Sequence, residues 1–191
     1  MIVPMIGFGQ TAEDYYNKAY DYAENGEYQL AIDNYTRAIR IDSNHAISYY
    51  NRGRLYGQKL NNLEEAIADY TRAIKIDPDN ALTYTLRGYT YSELGNYEDA
   101  IADFTRVVRI DPDYAYAYLN RGAVYHSLGN YEDAIADYTR AVRVDPDYAK
   151  AYMNRGLAKE KSGLLYCSDY KRACDLGIEE CCRWYKEDNC R

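Results

Sequence analysis

From Asn130 to Tyr148 the chain reads NYEDAIADYTRAVRVDPDY, with apolar or aromatic residues at Tyr131, Ala134, Ile135, Tyr138, Ala141 and Val142. Steps of three and four put these on one face of an α-helix. Glu132, Asp133, Asp137, Thr139 and Arg140 take the other face. Gly129, just ahead, suits the left-handed cap that ends a preceding helix. Asp145-Pro146 ends this one, because proline disfavours helical geometry in the residue before it. A new pattern then starts: Tyr152, Gly156 and Lys159 repeat the spacing of Tyr118, Gly122 and Tyr125. Each unit therefore predicts two antiparallel helices, each of about 14 residues and about 21 Å.

The pattern recurs along the chain. Asn96–Tyr114 differs from Asn130–Tyr148 only at Phe104/Tyr138, Val107/Ala141 and Ile110/Val144, and looser copies lie at Asn62–Asn80 and Glu27–Asn44. The units are residues 12–45, 46–80, 81–114 and 115–148, with a degenerate fifth at 149–177. Unit two is longer by one residue around Gly57–Leu60, and Asn61 holds the turn place of a glycine. Unit five loses about two residues, because Asp169-Tyr170 arrives early. Residues 178–187 predict a capping helix, with Ile178 and Trp184 inward and Glu179, Glu180, Arg183 and Lys186 outward. Copies at a fixed period stack into a solenoid whose last unit needs a lid with a polar outside. Residues 12–191 thus read as one all-α domain.

Residues 1–11 fit no repeat. Met1–Gly9 is apolar, and Gly7-Phe8-Gly9 has the small-x-small form of a signal cleavage site. It has no basic n-region and is too short for a complete signal peptide. A signal-peptide remnant and a short N-terminal cap are the two readings.

Gly53, Gly88, Gly122 and Gly156 in first helices, Ala31, Ala66, Ala100 and Ala134 in second helices, and Pro78, Pro112 and Pro146 at the ends resemble the tetratricopeptide repeat (TPR). So do the aromatics Tyr49, Tyr84, Tyr118 and Tyr152, then Tyr35, Tyr70, Phe104 and Tyr138. Ser43 for the closing proline of unit one, Ala19 for its glycine and Lys159 for a tyrosine depart from the family pattern. The resemblance implies a right-handed TPR superhelix (α-solenoid) of about five helix-turn-helix repeats plus the C-terminal capping helix. It also implies a concave groove, lined by first helices, that binds a peptide or protein segment.

The family's inward-facing places fall on Tyr16, Asn17, Tyr20, Tyr50, Asn51, Arg54, Leu86, Tyr89, Tyr116, Asn120, His126 and Asn154, and also on Thr85, Ala123 and Met153. Asn amides can bond a peptide backbone without reading its sequence, and Tyr adds contact area at low entropy cost. Some of these tyrosines only pack against the next unit on the competing reading. A family subclass clamps the C-terminal carboxylate of chaperones with Lys, Asn and Arg. Asn120 and Lys150 match it, but Thr85, Tyr89 and Asn154 stand where Lys, Asn and Lys/Arg are wanted. Without convergent cations that clamp is not expected.

Composition narrows the function. The net charge is −7 with the signs interspersed, so no basic stripe invites nucleic acid. No apolar run reaches the roughly 18 residues of a transmembrane segment. The 25 tyrosines suit half-exposed helix faces and a wet groove. No phosphate loop, nucleophile elbow or His-Glu-x-x-His pattern occurs, and His45 and His126 lie in different units. No enzyme, cofactor or metal site is expected. Arg52, Arg87, Arg121 and Arg155 recur in first helices and Asp69, Asp103 and Asp137 in second helices, which reads as pairing between helices rather than an anion ladder.

Cys167, Cys174, Cys181, Cys182 and Cys190 all lie near the C-terminus. Zinc, buried thiols and disulfides compete; zinc lacks a Cys-x-x-Cys pair and a nearby His. Cys174 and Cys182 flank the Leu176-Gly177 turn, a spacing that resembles the staple of Sel1-like repeats. On that reading Cys190 pairs with Cys167 or Cys181. Disulfides imply an oxidising compartment, hence an exported protein, periplasmic or extracellular, with the cytoplasm as the alternative. The expected function is a non-catalytic scaffold for a protein or peptide. The alternative is a structural, self-associating protein that uses its ends or residues 1–9.

Overall fold

The computed structural model describes residues 10–187. Among them are eleven α-helices and no strand. They are α1 (Ala12–Glu24), α2 (Tyr28–Ile41), α3 (Ala46–Leu60), α4 (Leu63–Ile76), α5 (Ala81–Glu93), α6 (Tyr97–Ile110), α7 (Ala115–Ser127), α8 (Tyr131–Val144), α9 (Ala149–Lys161), α10 (Cys167–Asp175) and α11 (Glu179–Glu187). The chain forms two compact units, one ending at Thr90 and the other beginning at Tyr91, within α5. The apolar N-terminal segment, Met1–Gly9, lies outside the described residues, and with it both readings of its role.

In the first unit, α1 starts at a capping box in which Thr11 and Asp14 each accept from the other's backbone N–H. Consecutive helices pack around Ala19, Ala31, Ile32, Tyr35 and Leu55, flanked by Tyr16, Tyr22, Tyr28 and Tyr56. A Cβ at Gly53 would lie 2.9 Å from Cε1 of Tyr70, so the glycine is what admits the aromatic ring of α4. The extra residue of this repeat is absorbed by lengthening α3 to 15 residues. The helix then stops at Asn61, which takes the left-handed turn at φ 55°. Asn tolerates that region better than most residues.

Three of the second helices, α2, α6 and α8, end alike whether or not proline follows. Asp42 leaves α2 in an extended conformation before Ser43, as Asp111 and Asp145 do before prolines. In each case the aspartate carboxylate accepts from the backbone N–H two residues on, at Asn44, Asp113 and Asp147. The Asx turn makes the stop, and proline reinforces it.

In the second unit, one cluster joins Ala100, Phe104 and Val124, and a larger one holds Tyr118, Leu119, Ala134, Tyr138, Ala141, Val142, Ala151 and Ala158. A Cβ at Gly122 would stand 2.8 Å from Tyr138, and one at Gly156 would stand 2.5 Å from Tyr170. The end is closed by α10 and α11. Tyr170, Ala173 and Cys181 are buried there, with Ile178 and Trp184 packed against them. Glu179, Glu180, Arg183 and Lys186 face solvent, as the lid requires. A disulfide joins Cys174 to Cys182, with Cα atoms 4.8 Å apart. Cys167 is also disulfide-bonded. Cys190 lies outside the described residues. Cys181, which one of the two pairing schemes engages, is instead a free thiol with no exposure. Burial pushes that thiol above its ordinary value, so it acts as core rather than as a nucleophile.

Candidate groove on the first helices

Recurring Arg–Asp pairs join the two helices of three repeats, α3 to α4, α7 to α8 and α9 to α10. Arg52 Nε and Nη2 donate to the two carboxylate oxygens of Asp69, at 2.8 and 2.7 Å. Arg121 forks onto Asp137 at the same distances, and Arg155 Nη2 reaches Asp169 at 2.6 Å. The remaining nitrogen reaches back to the preceding second helix: Nη1 of Arg52, Arg121 and Arg155 donates to Thr36, Thr105 and Thr139. Arg87 does the same to Thr71. The threonines were not singled out in the sequence, although they repeat with the same period. Burial pushes the Asp69 carboxyl up, and the Arg52 fork offsets this only in part. In the last repeat Lys159 replaces a tyrosine because its Nζ joins Arg155 on Asp169, at 2.8 Å. These arginines are committed within the fold and are not an anion-binding ladder.

With those side chains engaged, the groove expected from the sequence falls to other residues of the first helices. In the first unit, Tyr16 and Tyr20 stand one turn apart on α1, as Tyr50 and Arg54 do on α3. Burial pushes the Tyr16 phenol up, Glu13 and Tyr20 add to this, and Arg54 and a hydrogen bond with Asn51 oppose it. Tyr16 also packs on Tyr35, ring centroids 5.9 Å apart. Asn51 is buried and donates to the Ile47 carbonyl, so its amide is half committed to its own helix. Thr85 is buried too and donates to the Ala81 carbonyl. Tyr20 and Tyr89 are 45% and 46% exposed, and Asn17 is exposed. Leu86 is half-buried.

In the second unit, Tyr116 is 39% exposed and packs beside Tyr114 at 6.0 Å. Asn120 donates to the Tyr116 carbonyl one turn back. Met153 packs against the C-terminal core around Tyr170. His126, Asn154, Ala123, Ser127, Leu157 and Tyr138 line one cavity of about 280 Å³. His126 stands edge-on to Tyr131, and its buried Nε2 has no hydrogen-bond partner among the described residues. Such an unmet atom costs about 1–3 kcal/mol, and nothing in the sequence signalled it. Asn34, which heads a glycosylation-type Asn-Tyr-Thr triplet, is buried and donates to the Leu30 carbonyl, so its amide is not presented for modification.

Profiles of the TPR repeat match residues 19–59, 58–95, 88–129 and 124–163, which is more than half of the chain. The chain belongs to the tetratricopeptide-repeat family. No functionally curated protein is significantly similar to it. Among solved structures, a MamA protein is 25% identical with a TM-score of 0.83, covering 88% of this chain and 93% of that one. YrrB, described as a TPR protein with an unusual peptide-binding site, is 21% identical with a TM-score of 0.80, over 92% of both chains. A tetratricopeptide repeat protein from Parabacteroides merdae ATCC 43184 is 23% identical with a TM-score of 0.77, covering 96% of this chain and 68% of that one. The last two likenesses show the fold alone. No described helix of this TPR protein is long and apolar enough to cross a membrane. No group of three or more His, Cys, Asp or Glu among the described residues could hold a metal ion.

Proposed function

We propose that this TPR protein is a non-catalytic scaffold, one repeat domain over residues 12–191, whose first helices hold a peptide or partner-protein segment. The exposed rings of Tyr20, Tyr89 and Tyr116 carry this reading, because they lie on helices whose other faces are consumed by packing. The peptide-binding site named for YrrB supports it by fold likeness. A chaperone-tail clamp is disfavoured, since Thr85, one of the clamp places, is buried and bonded within its helix. Replacing Tyr50 and Tyr89 with Ala should abolish capture of the native partner while leaving helical circular dichroism unchanged. Undiminished capture would move the site off the groove.

We read the C-terminal end, beyond the family match at residue 163, as Sel1-like, on the strength of the Cys174–Cys182 staple across the Gly177 turn. The same bond supports export to an oxidising compartment. A non-reduced digest of protein from its native source should show that peptide pair joined; free thiols would remove the support. Self-association through residues 1–9 rests on a segment outside the described residues.

A further inference from the structure

We infer that Arg54 is the anchor for an acidic side chain: the groove of the first unit takes a peptide segment whose internal Asp or Glu carboxylate seats on this guanidinium. The inference rests on the groove reading above and names the charge of its occupant. Every other half-buried arginine among the described residues is engaged. Arg52, Arg121 and Arg155 fork onto aspartates, and Arg172 bonds Asp147. Arg87 bonds Thr71, Arg140 lies over the Tyr118 ring, and Arg106 has its own interaction. Arg54 has no ion pair, hydrogen bond or aromatic face among these residues, yet it is half-buried on α3. A guanidinium offers five N–H donors and cannot shed its charge.

The fold does not ask for a cation at this place. The corresponding residues of the other repeats are Tyr20, Tyr89, Ala123 and Leu157. Arg54 is therefore specific to one repeat, which is how a recognition residue differs from a packing one. Its surroundings fit a carboxylate. Its charge is felt at Tyr16, Tyr35 and Tyr70, as are those of Glu13, Glu24 and Asp69, but none of these acids is paired with it. A planar carboxylate can take two parallel N–H bonds from a guanidinium. A phosphate dianion is better matched by an arginine cluster, and the groove supplies one cation. Tyr16 and Tyr20 on α1 and Tyr50 on α3 flank the site, so residues on both sides of the acid find ring surface. An internal acidic residue fits that arrangement better than a chain terminus.

The test uses the full chain, labelled so that the Arg54 Nε–H resonance is followed by NMR. Three N-acetylated tripeptides serve as probes: Tyr-Glu-Tyr amide, Tyr-Gln-Tyr amide and Tyr-Gln-Tyr with a free terminal carboxylate. The Glu peptide should bind about tenfold more tightly than either Gln peptide, and it alone should shift the Arg54 resonance. Arg54→Gln should erase the preference, and Arg54→Lys should keep part of it. Equal affinities for the Glu and Gln amides, or no saturable shift with any probe, would overturn the assignment. So would a terminal-acid peptide that equals the Glu peptide. If the acid preference fails while Tyr50 and Tyr89 are still needed for partner capture, the groove reading survives without it.

Discussion

Asp137→Ala should lower the folding stability by about 3–5 kcal/mol, the usual cost of removing one partner from a buried ion pair. Asp137 is 6% exposed and accepts two hydrogen bonds from Arg121. Those bonds come first among the causes that raise the Arg121 pKa, against the opposing effect of burial. Without the carboxylate the guanidinium stays confined between α7 and α8, with the Thr105 hydroxyl and the Tyr118 ring beside it but no counter-charge in the fork. At about 2–4 °C per kcal/mol for a chain of this size, the melting temperature should fall by about 10 °C. The double variant Arg121→Met/Asp137→Leu should recover much of the loss, because it removes the stranded charge as well. Asp147→Ala is the control: its pair with Arg172 is 80% exposed on the Asp side, and such pairs are worth about 0–1 kcal/mol. Similar melting temperatures for Asp137→Ala and Asp147→Ala would show that the fork does not hold the repeat.

The chain should unfold steeply as the pH rises above 10. Tyr35, Tyr70 and Tyr138 are each 1% exposed, and burial pushes all three phenols well above their ordinary value of 10.0. Burial likewise pushes Tyr148 up to about 12. For a phenol whose folded pKa exceeds the unfolded one, the stabilising contribution is whole below the unfolded value. It is lost as the pH climbs toward the folded value, because the unfolded chain releases protons that the folded chain retains. Each of the three buried tyrosines then withdraws about 1.4 kcal/mol per pH unit. Phenolate absorbance should rise in two steps, the exposed tyrosines first and the buried ones together with the loss of helical circular dichroism. Tyr138→Phe should move the second step to higher pH, and Phe104 shows that this core position accepts the smaller ring. A single step near pH 10 with helices intact would contradict the burial.

The fold was legible because a packing constraint repeats. Gly122 is required by the Tyr138 ring, and the same pair recurs as Gly53 with Tyr70 and Gly156 with Tyr170, so spacing alone revealed the helix pairs. The Arg–Asp pairing was legible for the same reason. The Thr36, Thr71, Thr105 and Thr139 contacts were not, because one hydroxyl serves a neighbouring repeat and threonine looks like any outer-face residue. The groove was read only from position on the helix. Position does not say that the Asn51 amide turns back to Ile47, nor that the Nε2 of His126 ends buried without a partner. The five cysteines announced a special end, but burial separated the thiol of Cys181 from its disulfide-bonded neighbour Cys182.

Site-specific photo-crosslinking tests the scaffold account most directly. Benzoyl-phenylalanine, close in size to tyrosine, would replace Tyr20, Tyr50, Tyr89 or Tyr116 on the first helices. In matched variants it would replace Glu64, Glu98 or Glu132, which are exposed near the starts of second helices. Irradiation in the native cell extract should give one discrete adduct, identified by mass spectrometry, from the tyrosine positions and none from the glutamates. Adducts from the glutamate positions alone would place the partner on the outer face and contradict the groove.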